Sequence, residues 1–107
     1  MKYSVMKIVC MFDLPVDTEK EKKAYRKFRK RLVEEGFLMV QYSVYVRTCP
    51  TREYASRLQT RMKTYVPENG NIRLLSVTEK QYDDMFLLVG KKKKTEEVVG
   101  TKRLIVL

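Results

Sequence analysis

The chain contains no histidine. That removes the commonest general base and the commonest zinc ligand. Hydrolytic chemistry here would rest on carboxylates with a hard metal, or on a hydroxyl with a lysine. Cysteine is nearly as scarce. Cys10 and Cys49 do not make a disulfide framework, and Cys10 lies in an apolar run, where a free thiol acts as a small hydrophobe. A reducing cytoplasm is the expected compartment. No apolar run approaches the roughly 20 residues that cross a bilayer. The start, Met1-Lys2-Tyr3-Ser4-Val5, has one charge and no cleavage-site pattern, so no signal peptide is expected. There is no internal repeat, and 107 residues suit one small domain with one core.

Acids are also the minority. Thirteen Asp and Glu face 23 Lys and Arg, a net charge of +10. The cations are clustered: residues 20–31 hold eight of them with a single acid, Glu21, and Lys91, Lys92, Lys93 and Lys94 are consecutive. Clustering of this kind points to a polyanion, and nucleic acid fits better than a membrane, because no amphipathic helix has an apolar face left over.

Ile8-Val9-Cys10-Met11-Phe12-Asp13-Leu14-Pro15 is an apolar run closed by one acid and a proline. It reads as a central strand, about Val5–Phe12, buried on both faces. Pro15 cannot continue it, which puts Asp13 at or just past its end. Asp17 or Thr18 then opens a basic helix, with Thr18 and Glu21 as a capping box, and Gly36 ends it after Glu35. Ala24, Tyr25, Phe28 and Leu32 share its inner side. Lys23, Arg26 and Lys30 share the outer side, and Lys27 adds to its charge. Residues 37–46 are β-rich and too long for one strand, so two strands with a bend near Gln41–Tyr42 are expected. A helix over Arg52–Val66, a turn at Pro67–Asn71 and a strand over Ile72–Val77 follow.

The order βαββαβ is the split βαβ, or ferredoxin-like, pattern: an α+β fold with an antiparallel sheet and two helices on one face. Residues 1–89 are expected to form this core. Met85–Val89 adds a short strand. Residues 90–107 are expected to form a basic loop and a terminal strand, Leu104–Leu107, that either folds back or, as the favoured case, docks on the edge of a partner protomer.

Asp13 has two readings. It can cap the turn or the next helix, or it can be a metal ligand. One carboxylate is few for Mg²⁺, but a two-fold axis beside the first strand would bring two copies together, and a cation between them would relieve their repulsion. Such a pair could activate water against a phosphodiester.

The Phe12-Asp13 strand end, the basic helix, Gly36 and the stretch Gln41-Tyr42-Ser43-Val44-Tyr45 resemble CRISPR-associated protein 2, the small subunit of the spacer-acquisition complex. The resemblance runs over about residues 3–89, and the long basic tail is similar to members that accompany Cas9-type systems. It implies a homodimer that bridges dimers of the CRISPR-associated protein 1 integrase and supports duplex DNA by its backbone. It also implies, for some members, Mg²⁺-dependent endonuclease activity on RNA or duplex DNA, with Asp13 as catalytic and metal-holding residue. Lys23, Arg26, Lys27, Lys30 and Lys91 to Lys94 are the candidate nucleic-acid contacts. Phe12 and Tyr45 depart from the commoner Tyr and Phe of the family, and Met39 stands where some members have Arg. An RNA-recognition module shares the strand order but needs glycines on its third strand, which Ser43–Val46 lacks.

Overall fold

The computed structural model describes residues 5–89 together with Ile105–Val106. Strand β1 (Met6–Asp13) is the centre of the sheet. Its side chains alternate. Met6, Ile8, Cys10 and Phe12 are buried beneath the helices, while Lys7, Val9, Met11 and Asp13 stand on the opposite face. Two antiparallel neighbours flank it, β3 (Val44–Cys49) and β4 (Asn71–Thr78), with Cys10 opposite both Tyr45 and Leu74. With β2 (Leu38–Gln41) outside β3, the order is β2-β3-β1-β4, the ferredoxin-like arrangement expected from the element order.

Helix α1 (Glu19–Glu34) starts where the capping box predicts. The Glu21 amide donates to Thr18 Oγ1 at 3.1 Å, and the Thr18 amide donates to Glu21 Oε1 at 3.0 Å. Phe28 and Leu32 of α1 and Ala55, Leu58 and Met62 of α2 (Arg52–Met62) close one core over the sheet. The rings of Phe28, Tyr45 and Tyr25 surround Phe12 at 5.2, 5.8 and 6.1 Å. Helix α2 ends sooner than its periodicity suggests. Pro67 disfavours helical backbone at Val66, so the last turn, Lys63–Tyr65, tightens to a 3₁₀ turn and Val66 is extended.

The bend between β2 and β3 is a hairpin at Tyr42–Ser43, and Ser43 takes φ 65°, a conformation more often left to glycine or asparagine. A short helix, α3 (Glu79–Asp83), was not anticipated. It carries its own capping box, Thr78 with Gln81, and lays Tyr82 on the open face of the sheet among Val40 and Val46. Beyond it β5 is only Phe86–Leu87, paired in parallel with β6 (Ile105–Val106). The rest of the expected basic loop and terminal strand, including Lys91 to Lys94, lies outside the described residues.

Gly36 terminates α1 with φ 86°, and a Cβ there would meet Arg47 Nε at 2.7 Å. That guanidinium cannot easily retreat. It donates to the Glu35 carbonyl at 2.9 Å and to the Tyr54 hydroxyl at 2.8 Å. Gly36→Ala is therefore expected to cost about 2–3 kcal/mol, combining left-handed strain with a disturbed hydrogen-bond cluster. Urea unfolding followed by circular dichroism would measure it; a loss below about 0.5 kcal/mol would refute this account.

Candidate functional site

Asp13 is the last residue of β1, and its backbone is clamped from both sides. On one side the Phe12 amide donates to the Ser43 carbonyl at 3.0 Å. On the other, Asp13 is opposite Asn71, and the preceding turn presses close: a Cβ on Gly70 would lie 2.8 Å from the Asp13 carbonyl oxygen. The buried Phe12 and Leu14 anchor the neighbouring positions. The Asp13 side chain itself is exposed, and among the described residues it accepts no hydrogen bond and forms no ion pair. The helix-capping reading of this acid does not hold, because Thr18 fills that position. What remains is a rigidly held carboxylate with its oxygens available.

Among the described residues no group of three or more His, Cys, Asp or Glu could hold a metal. One protomer thus offers a hard cation a single carboxylate. That donor set fits Mg²⁺, which commonly takes one or two carboxylates and completes its shell with water and phosphate oxygens.

Other hydrolytic chemistries are disfavoured by placement. Burial pushes the Cys10 thiol up to about 12 and raises Cys49 as well, so neither is an activated thiolate. Lys7 and Thr48 form a lysine–hydroxyl pair at 2.8 Å, but Lys7 is only 1% exposed, with Glu79 at 3.8 Å and the Tyr82 ring at 6.0 Å. Substrate does not reach it.

The second candidate surface is α1. Lys23, Arg26, Lys27 and Lys30 are all exposed, and their i, i+3, i+4, i+7 spacing sets them in one stripe. The acids that could neutralise them are engaged elsewhere. Glu19 pairs with Lys22 and Glu34 with Arg31, Glu21 serves the cap, and Glu35 holds Arg61 at 2.8 and 2.9 Å. The Arg61 bond also lowers the Glu35 pKa. Among the described residues the stripe makes no ion pair.

These two candidates are not brought together. The helices cover one face of the sheet, and the Asp13 side chain belongs to the other. Sequence reasoning also passed over Arg29. Its Nε donates to the hydroxyl of Tyr45 at 3.1 Å, which favours the charged guanidinium, and its guanidinium carbon is 5.9 Å from the centre of the Tyr25 ring. Tyr45 is 3% exposed. A buried phenol needs a partner, so a tyrosine where a phenylalanine is commoner was the available signal.

A family model described as CRISPR associated protein Cas2 matches residues 6–85. The chain is 48% identical over 102 residues to a CRISPR-associated endoribonuclease Cas2 of Ligilactobacillus salivarius (strain UCC118), spanning 95% of this chain and all of that one. It is 49% identical over 88 residues to a protein of the same name from Lacticaseibacillus rhamnosus (strain ATCC 53103 / LMG 18243 / GG), spanning 82% of this chain and 87% of that one. A solved structure described as "Crystal structure of cas2" superposes with a TM-score of 0.58 at 20% identity, covering 85% of this chain and 93% of the other; it supports the fold.

Proposed function

The chain belongs to the CRISPR-associated Cas2 family, and on that premise we propose that it is an adaptation subunit: a homodimer that holds duplex DNA by its phosphates and bridges dimers of the CRISPR-associated protein 1 integrase. The observation that carries this reading is the uncompensated stripe Lys23, Arg26, Lys27 and Lys30, on a helix whose acids are otherwise engaged. A row of exposed cations along one helix face suits phosphate contacts, which position a duplex without reading its sequence. Lys91 to Lys94, outside the described residues, would add to the same attraction. Dimerisation is supported by the open sheet face, where Val9, Val44 and Val77 are half-buried and Leu75 is 51% exposed. Residues 90–107 would dock on the partner protomer only by exchanging the pairing of Ile105–Val106 with β5 of their own chain for an edge of the second copy.

Affinity for duplex DNA should be insensitive to sequence and fall steeply with salt. Each phosphate neutralised adds about −0.9 to the log–log slope, so a stripe of this size should give a slope of roughly −3 or steeper. A titration across salt concentrations on two unrelated duplexes checks both points. A flat dependence, or a strong preference for one duplex, contradicts the reading.

A second activity, phosphodiester hydrolysis, is favoured by the freedom of the Asp13 carboxylate and by the endoribonuclease name of the relatives. Asp13 and its copy in the partner protomer would hold Mg²⁺. The ion, when bound, supplies a more acidic water and neutralises charge on the scissile phosphate. The chain's own part is to hold the carboxylate still, through Ser43 and the Gly70 turn.

A further inference from the structure

A cleft of about 430 Å³ lies in the helix layer, walled by the β1–α1 turn, one flank of α1 and the segment that follows α2. Its wall chemistry is unlike the core. Tyr25 and Tyr65, both half-buried, supply aromatic surface, and Lys27 and Arg31 supply charge. Arg31 is already oriented: its guanidinium carbon is 4.5 Å from the centre of the Tyr65 ring and its Nη1 is 3.6 Å from Glu34. Lys27 makes no ion pair among the described residues. Ala24 contributes the least bulk of the helical residues there and leaves the cleft open. Lys20 and Glu68, 3.9 Å apart and both more than four-fifths exposed, also line it, and an ion pair so exposed is easily parted.

We propose that this cleft receives a single unpaired nucleotide of a bound strand, its base against the tyrosine rings and its phosphate at Lys27 and Arg31. The inference rests on the reading that the chain handles nucleic acid, and names a part of the strand that the α1 stripe does not hold. The volume falls in the range of small-ligand sites, and it exceeds what a bare phosphate needs while being far too small for a duplex. Aromatic faces accept any base, so the site adds affinity without sequence preference. Lys27 belongs to both the stripe and the cleft, so a strand leaving a duplex on α1 enters it directly. Leu14 and Pro15 also line the cleft, which puts it at the same end of β1 as Asp13.

The test compares a blunt duplex, the same duplex with a short single-stranded overhang, and one whose overhang is abasic but carries the same phosphates. The parent protein should bind the base-bearing overhang on the order of tenfold more tightly than the abasic one. Ala24→Trp, which fills the cleft without removing a charge, should erase that difference and leave blunt-duplex affinity unchanged. Equal binding of both overhangs by the parent, or a preference that survives Ala24→Trp, would overturn the proposal. Loss of blunt-duplex binding by the parent would instead count against the α1 stripe. A second arm uses the parent protein alone, titrated with adenosine monophosphate and with inorganic phosphate in nuclear magnetic resonance. Shifts at Ala24, Tyr25, Tyr65 and Asn69 with the nucleotide but not with phosphate are expected; no shifts there, or the same shifts with phosphate, would refute the site.

Discussion

Asp13→Ala should abolish metal-dependent phosphodiester cleavage and leave the protein folded. No other carboxylate stands beside Asp13 to take over: among the described residues there is no cluster of potential ligands, and Asn71 is opposite. Loss of an outer-sphere partner to a metal typically costs about 10–100-fold, and loss of the protein ligand itself should cost more. Stability should move by less than about 0.5 kcal/mol, because the exposed carboxylate has no intramolecular partner to lose. Asp13→Asn, which keeps the shape, should be as inactive. The measurement is cleavage of labelled RNA and duplex DNA with Mg²⁺ and with chelator, on protein purified free of contaminating nuclease. Undiminished, chelator-sensitive cleavage by Asp13→Ala would remove Asp13 from the chemistry.

Reversing Arg26 and Lys30 together to glutamate should weaken duplex binding on the order of 100-fold at about 0.1 M salt and flatten the salt slope by about two. The loss should be the same for every duplex sequence. Both side chains are exposed and without ion pairs among the described residues, so helix content should be retained; circular dichroism checks this. Glutamate is also as good a helix former as the residues it replaces. If affinity falls by less than about threefold with the helix intact, the stripe is a solvated face and the duplex lies elsewhere.

Much of the frame was legible because its signals are local. The acid and proline that end β1, the Thr18–Glu21 box and the glycine at 36 each act within a few residues, and each is where the pattern put it. The misses were of other kinds. Helix α3 has five residues, too few for a periodic pattern, although its Thr78–Gln81 box was present in the sequence. The Tyr42–Ser43 turn has no glycine because Ser43 accepts a left-handed backbone, held by the bond from Phe12. The freedom of Asp13 could not be read from its own neighbourhood. It follows from Thr18 taking the cap and from the placement of the other charges among the described residues. Arg29 emerged only when the fold brought Tyr45 of β3 beneath α1, 16 residues away in the chain.

The sheet keeps Asp13 and the α1 stripe on opposite faces, and this has a genetic consequence. Substitutions on one surface need not be felt on the other, so selection can act on each alone. A lineage could let the carboxylate drift while retaining the cations, or the reverse, without passing through an unfolded or unbound form. A null allele at position 13 would then report on cutting only, and a host that still acquires new spacers with it would reveal which face the process depends on.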